Sequence, residues 1–303
     1  MRRETVGRQE TLPALLFILP ALVLIGVFIL WPALETLRLA FLGPQGFAGL
    51  ANFREVLGSP DTFNPGRFPG SPPPWGSLVH NALWILIHLP LTVLLGLFLA
   101  VLFSRLKGWW VSLLRLAIFL GMVTPLVVGG VLIRFLFDQN AGLVPQVLGL
   151  LGLGAPWDRT WTAYPETALL ALILGSVWLW TGFSMVLHAA GLSTIDPELY
   201  EAAEIDGATA WHQFWFITLP LLWPVTMVVI ALTLLWELKI FDIVFVATQG
   251  GPGGASLVLA LQMYLYAFRD LDFHRAAATA TLLTLVSLPI GLWFARRSLG
   301  GGR

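Results

Sequence analysis

Six long stretches of the chain are nearly free of charge: residues 12–34, 79–103, 112–137, 167–191, 221–247 and 276–295. Each holds at least the roughly 20 residues that an α-helix needs to cross the hydrocarbon layer of a bilayer. None shows the alternation of apolar and polar positions that a membrane-spanning strand requires, so the pattern predicts helices and not a barrel. Pro90, Gly96, Pro125, Gly129, Gly130, Pro224 and Pro289 fall inside these runs. In lipid such residues are tolerated, because neighbouring helices satisfy the backbone groups they free. The expected fold is an all-α integral membrane protein with six transmembrane helices.

The first run follows Arg2, Arg3 and Arg8, the basic flank of a secretory signal. Its apolar core is too long for one, and Trp31-Pro32 is a poor cleavage site, so it reads as a retained anchor. Composition agrees with the spans. Of 303 residues, 57% are hydrophobic and 11% charged, against about half and about a quarter in soluble domains. With no Cys in the chain, a disulfide scaffold and a Cys-ligated metal site are excluded. Lys+Arg 17 balance Asp+Glu 17, which offers no basic surface to nucleic acid. His80, His88, His188, His212 and His274 have no metal-ligand spacing, and core or interfacial packing is expected of each. No metal site is expected. No catalytic order of Ser, His and Asp stands out, so no catalytic residues are assigned. Trp31, Trp75, Trp109, Trp110 and Trp293 lie at span ends, as an interfacial belt would.

Charge sets the expected orientation. With the N-terminus in the cytoplasm, the cytoplasmic set is Arg2, Arg3, Arg8, Arg105, Lys107, Arg115, Arg296, Arg297 and Arg303. Arg38, Arg54, Arg67, Arg134, Arg159, Arg269 and Arg275 then lie outside. Six spans return the C-terminus to the cytoplasm. The chain divides into an anchor helix with a Pro- and Gly-rich outer loop (1–77), a core (78–297) and a short cytoplasmic tail (298–303). Residues 141–154 are apolar but too short to span and predict an interfacial helix.

The segment 192–220 is unlike the other loops. Asp196 is a fitting N-cap, Pro197 suits the first helical position, and Glu198 complements the helix dipole. Gly207 can end the helix in a left-handed conformation. These residues predict a short amphipathic helix with an acidic face and with Leu199, Ala202, Ala203 and Ile205 on its apolar face. A second short helix, about Thr209 to Thr218, is expected before Leu219-Pro220 opens the fifth span. Asp196, Glu198, Glu201, Glu204 and Asp206 stand here with no Lys or Arg. Two capped helices between two spans read as a rigid knob for a partner; the plainer reading is a solvated acidic linker.

Glu201-Ala202-Ala203, then Asp206-Gly207-Ala208, then Phe214, Ile217, Leu219 and Pro220 resemble the EAA loop of ATP-binding-cassette importer permeases. Ala190-Gly191-Leu192, Ile195 and Pro197 to Tyr200 resemble the maltose-transporter branch. So do Phe241-Asp242, Thr248-Gln249-Gly250-Gly251-Pro252, Phe273 with Ala276-Ala277-Ala278, and Gly142-Leu143 with Leu148-Gly149. The matches run in family order from about Leu78 to Arg297. The resemblance implies a half-channel in a prokaryotic inner membrane, with the EAA loop in the cytoplasm between the fourth and fifth helices. It implies pairing with a second, homologous permease, two copies of an ATPase and an extracytoplasmic solute-binding protein. Glu201, Ala202, Ala203, Asp206, Gly207 and Ala208 would be the ATPase-coupling residues. ATP and Mg would be bound by the partner ATPases, leaving this chain without a cofactor. Independently, Lys107 and Lys239 both follow Leu, so neither can belong to the Gly-Lys-Ser/Thr loop that wraps phosphates.

The fifth run carries Glu237, Lys239 and Asp242. An ionisable group near the bilayer centre costs roughly 2.5–3.5 kcal/mol on insertion scales. Glu237, read as mid-span, must therefore face protein or water. Lys239 and Asp242 are spaced to pair on one helix face. The resemblance implies that Thr233, Trp236 and Glu237 line the substrate pocket. An aromatic face and a carboxylate suit a neutral sugar, with a di- or oligosaccharide such as an α-glucoside expected. Trp178 and Trp180 are further cavity candidates. A permease for another polar solute, such as a glycerol phosphodiester, is the alternative within the class. A self-contained secondary transporter would need its own ion site at repeated broken helices, and no internal repeat is visible.

Overall fold

The computed structural model describes residues 11–154 and 157–300. The flanking Arg2, Arg3, Arg8 and Arg303 of the orientation argument lie outside them. Among the described residues five helices are long and apolar enough to cross a membrane, and a sharply bent helix pair, counted as one span, brings the number to six. The N-terminal span is α1 (Thr11–Ile25), one π-helical turn (Gly26–Leu30) and α2 (Trp31–Ala40). Its most apolar window is 0% buried, against 67% for α8 (Pro165–Leu192). The anchor thus lies along the flank of the bundle and α8 forms its centre. Only α2 is held, packing against α14 (Phe273–Gly300).

The segment that follows the anchor is ordered. A two-residue ladder, β1 (Leu42–Gly43) with β2 (Gly46–Phe47), leads into α3 (Ala51–Gly58). Asn52 Nδ2 donates to Ala40 O at 2.9 Å and Leu42 O at 2.7 Å, pinning α3 beneath the turn. Trp75 closes the proline-rich stretch: its Nε1 donates to Ser71 O and its backbone N–H to His80 Nε2.

The bundle is built on α4 (Ser77–Arg105) and α8, the most extensively packed helix pair. Beside α8 lies α5 (Trp109–Val123). The third run was expected to be continuous over 112–137. It is broken instead: α5 and α6 (Leu126–Leu136) meet at 114°. Thr124 precedes Pro125 and is extended (ψ 124°), as the proline ring requires of its predecessor. Thr124 donates both its backbone N–H and its Oγ1 to Leu120 O, closing the helix end. After α7 (Leu143–Leu150), the short apolar helix predicted between the third and fourth runs, the chain enters α8.

The fifth run also departs from expectation. Helix continues without interruption from Ala210 to Glu237, 28 residues, so the expected separate helix of 209–218 is the base of this span. It comprises α10 (Ala210–Gln213), a π-helical turn (Phe214–Thr218) and α11 (Leu219–Glu237). Pro220 sits at the start of α11, where its missing N–H is tolerated in the wider turn. At its other end the span stops at Glu237, turns through 238–241, and resumes as α12 (Asp242–Ala247). Then come α13 (Leu259–Phe268) and α14. Helix α12 packs against α6. Gly130 permits that approach, because a Cβ there would come 3.2 Å from Ile243 O. Two of the spans are therefore discontinuous, and their broken segments meet.

Candidate functional sites in the polar loop and the fifth span

The polar loop folds as its caps dictate. Helix α9 (Pro197–Ile205) starts at Asp196, whose side chain accepts from Glu198 N at 3.0 Å. It ends at Gly207, with φ +79°. Gly207 N donates to Glu204 O at 3.0 Å and Ala208 N to Ala203 O at 2.8 Å, the paired bonds of a Schellman motif. Thr209 then caps the next span by accepting from His212 N.

No residue of α9 is buried. Of the apolar face expected from Leu199, Ala202, Ala203 and Ile205, only Ala203 is half-buried against the chain; Leu199 is 46% and Ile205 87% exposed. The side turned inward is polar. Tyr200 Oη lies 3.0 Å from Thr218 Oγ1, and Gln213 Nε2 donates to Tyr200 O and Glu204 Oε1 at 3.4 Å. At helical spacing this leaves Glu198, Glu201, Ala202 and Ile205 on the outward face. Asp206 and Gly207 are exposed, while Ala203 and Ala208 are half-buried. Behind the helix lies a cavity of about 550 Å³ lined by Ser104, Arg105, Tyr200, Glu204 and Gln213 among others. The tethers Tyr200, Gln213 and Thr218 escaped the sequence reading, because their role depends on where α11 begins.

The second site lies where α11 ends. Thr233 and Glu237 are buried, at 1% and 3% exposure, while Trp236 is 36% exposed. Trp236 packs on Trp180 and Phe183 of α8, with ring centroids 4.3 and 4.9 Å apart. Of the two further cavity candidates, Trp180 thus joins this cluster; Trp178 instead reaches α5, its Nε1 donating to Ala117 O at 3.3 Å. Glu237 meets His88 of α4: His88 Nδ1 donates to Glu237 Oε1 at 2.6 Å, with the histidine fully buried. Asn81 Nδ2 donates to Glu237 O and Asn81 Oδ1 accepts from Leu259 N, so one amide joins the end of α11 to the start of α13. Thr233 Oγ1 and Glu237 Oε2 are buried with no protein partner.

Glu237 is therefore at a helix end rather than in the middle of a helix, yet it is held inside the bundle by α4. No Gly or Pro in 236–242 announced this break. Lys239 and Asp242, expected to pair, form no ion pair with each other. His88 was expected only to pack, and its meeting with Glu237 spans 149 residues of sequence. Irregular backbone at membrane depth is tolerated where protein buries it or where it lines a cavity.

These features define a multi-pass membrane protein: broken spans around a buried polar layer, with a rigid, exposed helix set between two spans. The chain belongs to the family described as "Binding-protein-dependent transport system inner membrane component", which it matches over residues 92–297. It is an ATP-binding-cassette importer permease. A probable ABC transporter permease protein of Pyrococcus horikoshii is 50% identical over 289 residues, covering 95% of this chain and 99% of the relative. The lactose transport system permease protein LacF of Rhizobium radiobacter is 31% identical, covering 95% and 94%. Among solved structures, a chain of a bacterial ABC transporter involved in the import of the acidic polysaccharide alginate shares the fold. Its TM-score is 0.76 at 21% identity, covering 97% of this chain and 98% of that one.

Proposed function

We propose that this permease is one half of the channel of a heteromeric sugar importer. It pairs with a second, homologous permease, receives solute from an extracytoplasmic binding protein, and is driven by two ATPase subunits on the cytoplasmic side. The coupling element is α9. Its outward face, with Glu198, Glu201, Ala202 and Ile205, seats in the ATPase, and the Schellman turn at Asp206, Gly207 and Ala208 fixes its end. When the ATPases close on nucleotide, a helix tethered through Tyr200 to Thr218 carries the base of the fifth span with it, so one bistable element is biased from another subunit.

The solute is a neutral di- or oligosaccharide, α-glucosides included, met by Thr233, Trp236 and Glu237. The observation that carries this reading is the pair of unpartnered buried oxygens, Thr233 Oγ1 and Glu237 Oε2. Polar atoms left unpaired in a dry interior cost free energy that a hydroxylated solute recovers. The aromatic cluster of Trp236, Trp180 and Phe183 offers the apolar faces that sugar C–H surfaces fit, and the LacF relative is named for a disaccharide. The test is uptake of radiolabelled sugars by the assembled transporter in proteoliposomes. Trp236→Ala and Glu237→Gln should each lower uptake while assembly persists; full uptake by both removes the pocket assignment.

A second reading, an anionic polar solute, is favoured by Lys239. It lines a cavity of about 450 Å³ with Tyr264, Thr284 and Ser287, and no ion pair within the described residues neutralises it. Competition of sugar uptake by glycerol phosphodiesters would support that reading.

A further inference from the structure

The polar groups assigned to the solute come from one wall, α11. Helix α4 packs against α11, and it also carries an unpartnered donor. Trp84 is fully buried, and its Nε1 has no protein partner. Among the described residues four buried side-chain polar atoms lack a partner: Trp84 Nε1, Thr233 Oγ1, Glu237 Oε2 and Arg159 Nε. The last lies outside the spans, in the segment before α8. The other three belong to α4 and α11, which are held together at this level by His88 and Asn81. Trp84 stands between those two residues in sequence, and Trp84 and His88, like Thr233 and Glu237, are four apart on a single helix face. The indole and imidazole rings are 6.3 Å apart.

We propose that Trp84 and His88 complete the solute site from the α4 side. Trp84 Nε1 donates a hydrogen bond to a solute oxygen. His88 is a positioning residue: it holds Glu237 Oε1, which leaves Oε2 aimed at the solute. The inference rests on the assignment of Thr233 and Glu237 to the solute and extends it to a second helix. The chemistry of the three open groups names the ligand class. An N–H donor, a carboxylate acceptor and a hydroxyl able to do either match a neutral polyol with adjacent hydroxyls. A phosphate ester would place its oxygens against the Glu237 carboxylate and be repelled. A tryptophan needed only for packing leaves its N–H unsatisfied at a cost that phenylalanine avoids.

The experiment uses the complete transporter with its binding protein in proteoliposomes, with radiolabelled maltose, trehalose and lactose as probes. Uptake and stimulated ATP hydrolysis are measured together for wild type, Trp84→Phe, His88→Asn, His88→Gln and Glu237→Gln. An asparagine amide nitrogen stands near the place of Nδ1 and can still hold Glu237; a glutamine amide nitrogen stands near that of Nε2 and cannot. Trp84→Phe and His88→Gln should lower uptake about tenfold, equivalent to about 1.4 kcal/mol, with ATP hydrolysis within about twofold of wild type. His88→Asn should stay within about threefold of wild-type uptake. Equal uptake by the two His88 variants, undiminished uptake by Trp84→Phe, or a parallel fall of uptake and hydrolysis overturns the proposal. If Glu237→Gln is impaired while Trp84→Phe and His88→Gln are normal, only the α4 wall is lost. If Glu237→Gln also transports normally, or if wild type moves no sugar, the pocket reading falls with it.

Discussion

Tyr200 Oη and Thr218 Oγ1 lie 3.0 Å apart, linking the exposed helix α9 to the base of the fifth span. This contact, with the two longer bonds from Gln213, joins a surface element to a membrane element. A neutral hydrogen bond of this kind contributes about 1 kcal/mol. Tyr200→Phe should therefore leave insertion and assembly intact and lower the sugar moved per ATP hydrolysed. Simultaneous measurement of uptake and phosphate release checks it; an unchanged ratio removes Tyr200 from the coupling path.

The turn at Gly207 makes a sharper test. A side chain at φ +79° incurs roughly 1–2 kcal/mol of backbone strain, and proline also removes the N–H that reaches Glu204 O. Gly207→Ala should weaken ATPase association severalfold and Gly207→Pro should abolish it, with membrane insertion retained in both. Glu201→Ala should weaken association without disturbing the turn. Co-purification of the ATPase with the tagged permease reads all three. Normal association and transport by Glu201→Ala and Gly207→Pro would remove the docking role from this helix.

Orientation is open to direct labelling, because the chain has no Cys of its own. A single cysteine at position 204 should react with a membrane-impermeant maleimide only from the cytoplasmic side, and one at position 57 only from the opposite side. Reaction of position 204 in intact cells would invert the arrangement.

The crossing of the two broken spans should be intolerant of bulk. Gly130→Leu places a branched side chain against Val246 and Ile243 O, and overpacking of this kind typically costs 1–3 kcal/mol. The expected result is a lower thermal unfolding temperature in detergent, larger than that of Gly291→Leu, a position with open space around it. Equal shifts would show that α6 does not rest on α12 as described.

One loop carries a readable pH dependence. The backbone N–H groups of Ala141 and then Asn140 donate to the Asp138 side chain and hold its carboxyl below the usual range. A folded-state value below the unfolded one means that the contribution is present above the unfolded value. It is lost as pH falls through the lowered folded value. Hydrogen exchange at Asn140 and Ala141 should therefore stay protected through mildly acidic conditions and rise only below the ordinary carboxylate range, after correction for intrinsic rates. Asp138→Asn should weaken that protection at neutral pH.

Much of this architecture was legible because its signals are local. The spans follow from apolar length, and α9 follows from Asp196, Pro197 and Gly207, whose caps act within a few residues. The break at Pro125 was written in the sequence too, since proline constrains Thr124, but lipid tolerates proline often enough for a continuous span to be expected. The break after Glu237 had no local mark. It is stabilised by Asn81 and His88, about 150 positions earlier, and long-range partners of that kind leave no periodicity. The exposure of Leu199 and Ile205 was hidden for a related reason: amphipathic spacing identifies a face without saying whether the chain itself or something else covers it.

Because none of the nine residues of α9 is buried, this segment adds little to the packing of its own chain beyond the bonds that Tyr200 and Glu204 make to the fifth span. With the docking role proposed for α9, selection for a well-folded permease and selection for a well-matched partner act on largely separate sets of positions. The helix can drift to follow changes in the surface it meets without weakening the bundle. Conversely, a bundle adapted to heat or to a different lipid need not renegotiate that surface. A chimera carrying residues 196–208 of another permease should still fold, and its choice of motor should change.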